Sequence, residues 1–558
     1  MRKYISEGNL LVGEDVVFEP AEGGLGHEVF KALNLNKGKI VERILETGEE
    51  ISYDDLLIRS VRVALFFAEK KLKKDDVVCL CSRNNSHTMV TLIASKFADV
   101  HFSAMEPTLP LDDIIYLINL IRPKVLFVVE NVITKIEEAF KKLDFRCELV
   151  LLGCESTKYT NIHQLYSPKE EEEKYRPSFV KNLKETAIIF LSSGTSGKPK
   201  AVCVNHYALL AQIYILASQF HRKGTVRFSN FTEEFSTGEN SILHYAPLYW
   251  LTGVMFSMIP IFCGGTFLIG TSFNAANAWN ALEKYQPDSI ILPPGQTNEL
   301  CSYGFSKKRI KSVNIFGVGG GFVTTTHMKD MKKCFPNTKI TQLYGQTENT
   351  GPISLFNSSD PEEMEYQQNH LNSCGKPVNG FKMKVVNVDT EEICGPGERG
   401  ELRTLSKYIM NEYYKMDSSF AFDSDGWFKT GDLVYFDENG CIYVVDRIKD
   451  LILYSLHNIA PSVIENILKQ HPAVFECCVV GKPHLRDNEH PIGIVVLRED
   501  HKGKTTEEEI VSFVNERVPD DRYKIRAGII FIEGMLKTST GKIRKLEMKR
   551  RLIEGLPI

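Results

Sequence analysis

No CxxC pair occurs in this chain of 558 residues, although it carries 13 cysteines. The odd count, and the placement of Cys79, Cys81, Cys477 and Cys478 in strand-like apolar runs, argue against a disulfide framework and for buried thiols in a reducing compartment. Net charge is equally scarce. Lys and Arg number 67 against 71 Asp and Glu, which leaves −4, so no global basic field points to nucleic acid. The opening MRKYISEGNLLVGEDVVF holds no apolar h-region, so no secretory signal is expected. An unbroken apolar run of membrane length is also lacking. The one suspect is residues 251–270, LTGVMFSMIPIFCGGTFLIG, which Pro260 and the Gly264–Gly265 pair split. That pattern predicts a buried helix, a turn and a strand, and no transmembrane segment. The final GLPI is not an SKL-type peroxisomal signal. A cytoplasmic location follows by default. There is no internal repeat, and the acidic run PKEEEEKY (168–175) reads as a solvated loop.

What the chain does contain is an ordinary globular composition, 43% hydrophobic and 25% charged, at a length that allows several subdomains. From about residue 50 to 350, helical patterns such as NHYALLAQIYILASQF alternate with short apolar runs: DVVCLCS, KVLFVVE, ELVLLG, AIIFLSS, SIILPP and VNIFGVGG. This alternation predicts an α/β fold with largely parallel, buried sheets. Between about 380 and 447 the texture turns to short strands and turns, which predicts a small β subdomain. After about 450 it predicts a compact α+β tail, with PSVIENILKQHP and TEEEIVSFVNERV as helices.

The stretch FLSSGTSGKPKAV (190–202) raises the question of chemistry. A Walker loop needs four residues between its glycines, then Lys and Ser/Thr opening a helix. Here only two residues separate Gly194 from Gly197, and Pro199 biases Lys198 away from helical geometry. The Walker design is excluded. The hydroxyls of Ser192, Ser193, Thr195 and Ser196, with the glycine amides, still suit a triphosphate, and a polar turn without a ligand stays open beside that reading.

Four more motifs come after it in order: VGGGFV (318–323), YGQTE (344–348), DGWFKTGD (425–432) with DRIKD (446–450), and LKTSTGKIRK (536–545). With the loop they resemble the signatures of the adenylate-forming superfamily, which holds acyl-CoA synthetases, 4-coumarate–CoA ligases, beetle luciferases and peptide-synthetase adenylation domains. The resemblance covers residues 190–545, and residues 30–150 more loosely. It implies a large N-terminal adenylation domain (1–446) of parallel-sheet α/β subdomains plus a small β subdomain. A small mobile α+β lid (447–558) would come next, with a hinge near 447–450.

The resemblance also implies roles. Ser192, Ser193, Gly194, Thr195, Ser196, Gly197 and Lys198 would hold the β- and γ-phosphates of ATP. Thr347 would meet the α-phosphate and Glu348 would bind Mg2+, which favours a carboxylate plus phosphate oxygens. Tyr344 can stack on adenine while Gly319, Gly320 and Gly321 admit the base closely. Asp432 would take both ribose hydroxyls and Arg447 would make a second ribose or phosphate contact. An ion pair of Arg447 with a neighbour such as Asp446 is the structural alternative, and the two roles do not exclude each other. Lys449 stands at the hinge position. Lys542 would bridge the substrate carboxylate and the α-phosphate, then swing away for the second half-reaction.

Three positions depart from the pattern. Trp250 stands where the family usually carries His near the carboxylate, with Tyr249 beside it in the expected acyl pocket. An indole offers only an N–H donor, and Trp250 also reads as a plain core aromatic. Leu456 replaces a glycine that lets backbone approach the pantetheine arm. Leu453 stands where beetle luciferases carry a lysine. The expectation is an ATP- and Mg2+-dependent acid–CoA ligase acting on a small-molecule carboxylic acid and coenzyme A. A medium- or long-chain fatty acid is favoured by the apolar 245–265 segment. An aromatic-acid ligase, a luciferase-like monooxygenase and a non-catalytic acyl-adenylate binder are the alternatives. A peroxisomal location stays open on the resemblance.

Overall fold

A computed structural model describes residues 5–14, 22–153, 156–192, 199–220, 241–307, 309–537 and 543–558. The chain divides into two compact units. The first is built from Val12–Phe381 and Leu405–Phe422, the second from Arg2–Leu11, Lys382–Thr404 and Asp423–Ile558. The fold is a large α/β part rich in parallel sheet followed by a small α+β part.

In the first unit, an eight-stranded sheet runs in the order Glu412–Tyr413, Lys200–Asn205, Thr186–Ser192, His101–Met105, Val77–Cys81, Val125–Val128, Glu148–Leu151, Thr160–Asn161. It is parallel from Thr186–Ser192 onward and antiparallel at the Lys200–Asn205 edge. A nine-stranded sheet has the parallel core Lys339–Gln346, Ile315–Gly319, Ser289–Leu292, Ser241–His244, Thr266–Ile269, Ile40–Ile44. Strands such as Val77–Cys81, Val125–Val128 and Ser289–Leu292 are buried at every position. That burial is why their sequences are unbroken apolar runs with no alternation: helices cover both faces of a parallel sheet.

The 251–270 tract is a helix, Leu251–Cys263, and a strand, Thr266–Ile269. The break falls at Gly264, whose φ of 70° ends the helix, while Pro260 stays inside it. The Tyr53 hydroxyl lies 3.0 Å from the carbonyl of Pro260 and 2.8 Å from that of Gly265, so this C-terminus has a buried polar partner. No helix among the described residues is long and apolar enough to cross a membrane.

The second unit carries the antiparallel strands Phe428–Phe436 and Ile442–Arg447, with residues 400–404 of the strand Gly400–Ser406 paired to the first of them. Its later part is the long hairpin Val474–His484 and Asn488–Leu497, flanked by Ile452–Tyr454 and by Ile529–Phe531. Cys477 and Val479 face a core with Ile464, Leu468 and Ile510, whereas Cys478 and Val480 face Met548 on the opposite side. Alternation along one strand thus serves helices on two faces. No disulfide joins the twelve described cysteines, and all but Cys147 and Cys374 are buried. Burial pushes the thiols of Cys81, Cys203, Cys263 and Cys477 up to about 12.

Candidate active site

Strands Thr186–Ser192 and Lys200–Asn205 pair antiparallel with Lys200 opposite Ser192. The Ser/Gly stretch therefore joins two neighbouring strands. It leads into a strand, whereas a Walker loop would open a helix. Ser192 closes the first strand, whereas Ser193, Gly194, Thr195, Ser196, Gly197 and Lys198 lie outside the described residues.

The glycines and the aromatic–Thr–Glu motif meet at one sheet edge. Ile315–Gly319 and Lys339–Gln346 are adjacent parallel strands with Gly319 opposite Leu343, so Gly319–Gly321 and Tyr344 both stand at carboxyl ends of strands. In open α/β sheets that end is where ligands sit. Tyr344 is half-buried, and Gly320 takes a φ of 81°.

Thr347 and Glu348 occupy a one-turn 3-10 helix, Thr347–Asn349. The turn is closed by the Thr350 N–H donating to the Thr347 carbonyl at 2.9 Å, with Thr350 itself at φ 57°. Buried Gln212, on the helix His206–Phe220, donates to the carbonyls of Asn349 and Pro352 at 3.2 and 3.3 Å and so fixes the turn from below. The half-buried Glu348 carboxylate accepts the Tyr413 hydroxyl at 3.0 Å on Oε1, and its carbonyl accepts the Met410 N–H at 2.7 Å. No salt bridge engages Glu348 among the described residues. A lone carboxylate fits Mg2+, which is held by one or two carboxylates plus substrate phosphates and waters.

Trp250 precedes the helix Leu251–Cys263 as its N-cap, and the Tyr249 ring meets it edge-on at 5.9 Å. The indole N–H is buried without an acceptor among the described residues. Burial, with Glu106 adding to it, raises the Tyr249 phenol above its ordinary range.

In the second unit, Asp432 and Arg447 are cross-strand partners, and the Arg447 Nε lies 2.6 Å from Asp432 Oδ1. Asp432 is buried, and its N–H donates to the Thr430 hydroxyl at 3.1 Å. Asp446 takes the backbone N–H of Arg447 and that of Ser462, at 2.8 and 2.9 Å. Arg447 thus pairs its guanidinium with Asp432. Lys449 is exposed in the turn Ile448–Asp450. Lys542 lies outside the described residues, which close around its segment with a Lys537–Ile543 bridge and an Arg544 N–H to Leu536 carbonyl bond of 2.8 Å.

Leu453 lies in the strand Ile452–Tyr454. Leu456 is 92% exposed in the two-residue turn of that hairpin, where Ser455 takes a φ of 54°. One further cluster, His484, Asp487 and His490, brings possible metal ligands together at the tip of the long hairpin. There His484 Nδ1 accepts the Asp487 N–H at 3.2 Å, while His490 and Arg486 both reach the Asp487 carboxylate, so the tip satisfies its own polar groups. Tyr413, Met410 and Gln212 are the contacts that sequence reasoning missed. Only the pairing of distant segments brings them to the Thr347–Glu348 turn.

Comparison with known proteins matches residues 32–414 to the family described as AMP-binding enzyme, and residues 463–542 to the AMP-binding enzyme C-terminal domain. A luciferin 4-monooxygenase of Photuris pensylvanica is 26% identical over 98% of both chains. Acyl-CoA synthetase 7 of Caenorhabditis elegans is 27% identical over 91% of both chains. Among solved structures, the luciferase-like enzyme from the nonluminescent Zophobas morio mealworm is 31% identical with a TM-score of 0.71, covering 79% of this chain and 100% of that one.

Proposed function

Because this chain belongs to the AMP-binding enzyme family, we propose that it is an ATP- and Mg2+-dependent acid–CoA ligase. It would join a carboxylate to the α-phosphorus of ATP with release of pyrophosphate, then pass the acyl group to the thiol of coenzyme A. The observation that carries this reading is the assembly of Gly319–Gly321, Tyr344, Thr347 and Glu348 at the carboxyl ends of two adjacent parallel strands, with Glu348 held by hydrogen bonds and free of any salt bridge among the described residues.

Both reactants are anions, so the protein must hold them together and offset the charge that develops on the phosphorus oxygens. In this reading Ser192–Lys198 cradle the β- and γ-phosphates and Thr347 meets the α-phosphate. Glu348 would hold Mg2+, whose chemistry is to neutralise phosphate charge. Asp432 binds the ribose, and Arg447 keeps that carboxylate aimed. Lys542 bridges the two reacting groups, and residues from 447 onward form a lid that turns about Lys449 between half-reactions. Trp250, with an indole N–H that lacks an acceptor among the described residues, would supply a donor to the acid in this reading. The apolar helix Leu251–Cys263 supports a medium- or long-chain fatty acid as that acid. The luciferin 4-monooxygenase relatives favour a second reading, an oxidative one, but Leu453 supplies no charge at the position where the sequence pattern puts a lysine.

Pyrophosphate release measured with a panel of fatty and cinnamic acids, with and without coenzyme A, tests the reading. Release with a fatty acid, and thioester formed only with coenzyme A, is the expected result. No release with any acid overturns it. Lys542→Ala is expected to lower pyrophosphate release about 100- to 1000-fold while still converting supplied acyl-adenylate to thioester. Equal loss of both steps removes the bridging role.

A further inference from the structure

We infer that Tyr413 and Lys200 are positioning residues for the Glu348 carboxylate, so that the strand leaving the Ser/Gly loop sets the geometry of the cation ligand. This rests on Glu348 as the Mg2+ ligand and deepens that reading.

The two-residue strand Glu412–Tyr413 adds to the edge of Lys200–Asn205, with Tyr413 opposite Val202. The segment around it is stitched on both sides. Asn411 N–H donates to the Cys203 carbonyl at 2.8 Å and Tyr414 N–H to the Ala201 carbonyl at 2.7 Å. On the other side, Met410 N–H holds the Glu348 backbone at 2.7 Å and the Tyr413 hydroxyl holds its side chain at 3.0 Å. Residues 410–414 therefore clamp Glu348, main chain and carboxylate alike, to the strand that starts where the loop ends.

Lys200 completes the arrangement. Its ammonium lies 4.6 Å from the centre of the Tyr413 ring and 4.5 Å from that of Phe420, and the two rings are parallel within 3° at 5.7 Å. A cation on the ring face draws electron density from the phenol, which strengthens its O–H as a donor to the carboxylate. Tyr413 is only 4% exposed, so the bond is shielded from competing water. With Oε1 taken by the phenol, rotation of the carboxylate is arrested and Oε2 keeps a fixed direction for the cation, which is how a supporting hydrogen bond orients a metal ligand.

Full-length protein is titrated with Mn2+ by electron paramagnetic resonance in the presence of α,β-methylene-ATP, and the Mg2+ dependence of pyrophosphate release is measured in parallel. Tyr413→Phe keeps both ring contacts and loses only the hydroxyl. It is expected to weaken Mn2+ binding about tenfold, to raise the half-saturating Mg2+ concentration to match, and to leave thermal melting and the KM for the acid within twofold. Lys200→Met should produce a smaller shift in the same direction, about threefold, and Lys200→Arg should restore it. Glu348→Gln separates the two layers of inference. If Glu348→Gln impairs Mn2+ binding and Tyr413→Phe leaves it within twofold of wild type, the positioning role is overturned while Glu348 stands as a ligand. If Glu348→Gln also leaves it unchanged, the cation-binding reading of Glu348 falls, and the positioning role with it.

Discussion

Gly319 sits where a side chain has no room: a Cβ there would fall 2.5 Å from the carbonyl oxygen of Leu343 and 2.9 Å from its Cβ. The obstacle is the neighbouring strand, so relief requires separating two parallel strands at the point where the chain reaches Tyr344. Gly321 differs, since its Cβ would make an ordinary 3.4 Å contact with Pro294. Gly319→Ala is therefore expected to cost about 1–3 kcal/mol of stability and to raise the KM for ATP, whereas Gly321→Ala leaves stability nearly unchanged. Urea unfolding and pyrophosphate-release kinetics on the two variants check the contrast. In the sequence the three glycines are equivalent, and only strand register tells them apart. The same holds for Arg447. Chain proximity offers Asp446 as a partner, but the two residues are consecutive on a strand and point to opposite faces. The residue that faces the guanidinium is Asp432, across the hairpin.

At the level of elements, the last helix, Lys545–Glu554, is tied down by a buried charge. Lys545 Nζ lies 2.7 Å from Glu465 Oε1, and the same oxygen accepts the Val479 N–H at 2.8 Å. One carboxylate thus joins the helices Pro461–Leu468 and Lys545–Glu554 to the strand between them. Burial alone would lower the lysine pKa, but Glu465 and Asp446 outweigh it and hold the ammonium above its ordinary value. Removing one partner leaves the other charge buried and unpaired, so Lys545→Met should cost about 3–5 kcal/mol. The loss should show as early unfolding of this unit by hydrogen exchange at the amides of residues 462–468. Unchanged protection there would mean that the pair contributes nothing to docking the helix. Elements of this size were legible in the sequence because each supplies a long signal: the continuous apolar runs became buried parallel strands, and PSVIENILKQHP became a helix opened by proline. The strand Glu412–Tyr413 was not legible, because two residues carry no period. Its existence depends on an edge presented by residues some two hundred positions earlier.

Within the first unit, imidazoles that the fold keeps neutral make stability depend on pH on the acid side. His244 is fully buried on the strand Ser241–His244, with Nε2 at 3.2 Å from the Ser257 hydroxyl. Desolvation lowers it to about 4. His87 and His101 are also lowered to about 4, chiefly by burial, with His163 repelling a proton on the first and Lys96 on the second. An unfolded chain binds a proton on each near 6.5. In the window from about 6.5 down to 4 the unfolded state therefore holds more protons than the folded one, and stability falls as pH falls. The contribution is fully present above pH 6.5 and lost as the folded-state values are approached. For His244 the loss amounts to roughly 3 kcal/mol at 1.4 kcal/mol per unit. Carboxylates titrate in the lower part of the same window, so the wild-type slope alone does not isolate the histidines. His244→Gln does: its stability should fall less steeply between pH 6.5 and 4, by about one proton. Urea unfolding at half-unit pH steps reads that difference directly. Parallel curves for the two proteins would mean that His244 takes up its proton without opening the sheet, and the neutral-imidazole account of acid stability would fail at its most buried member.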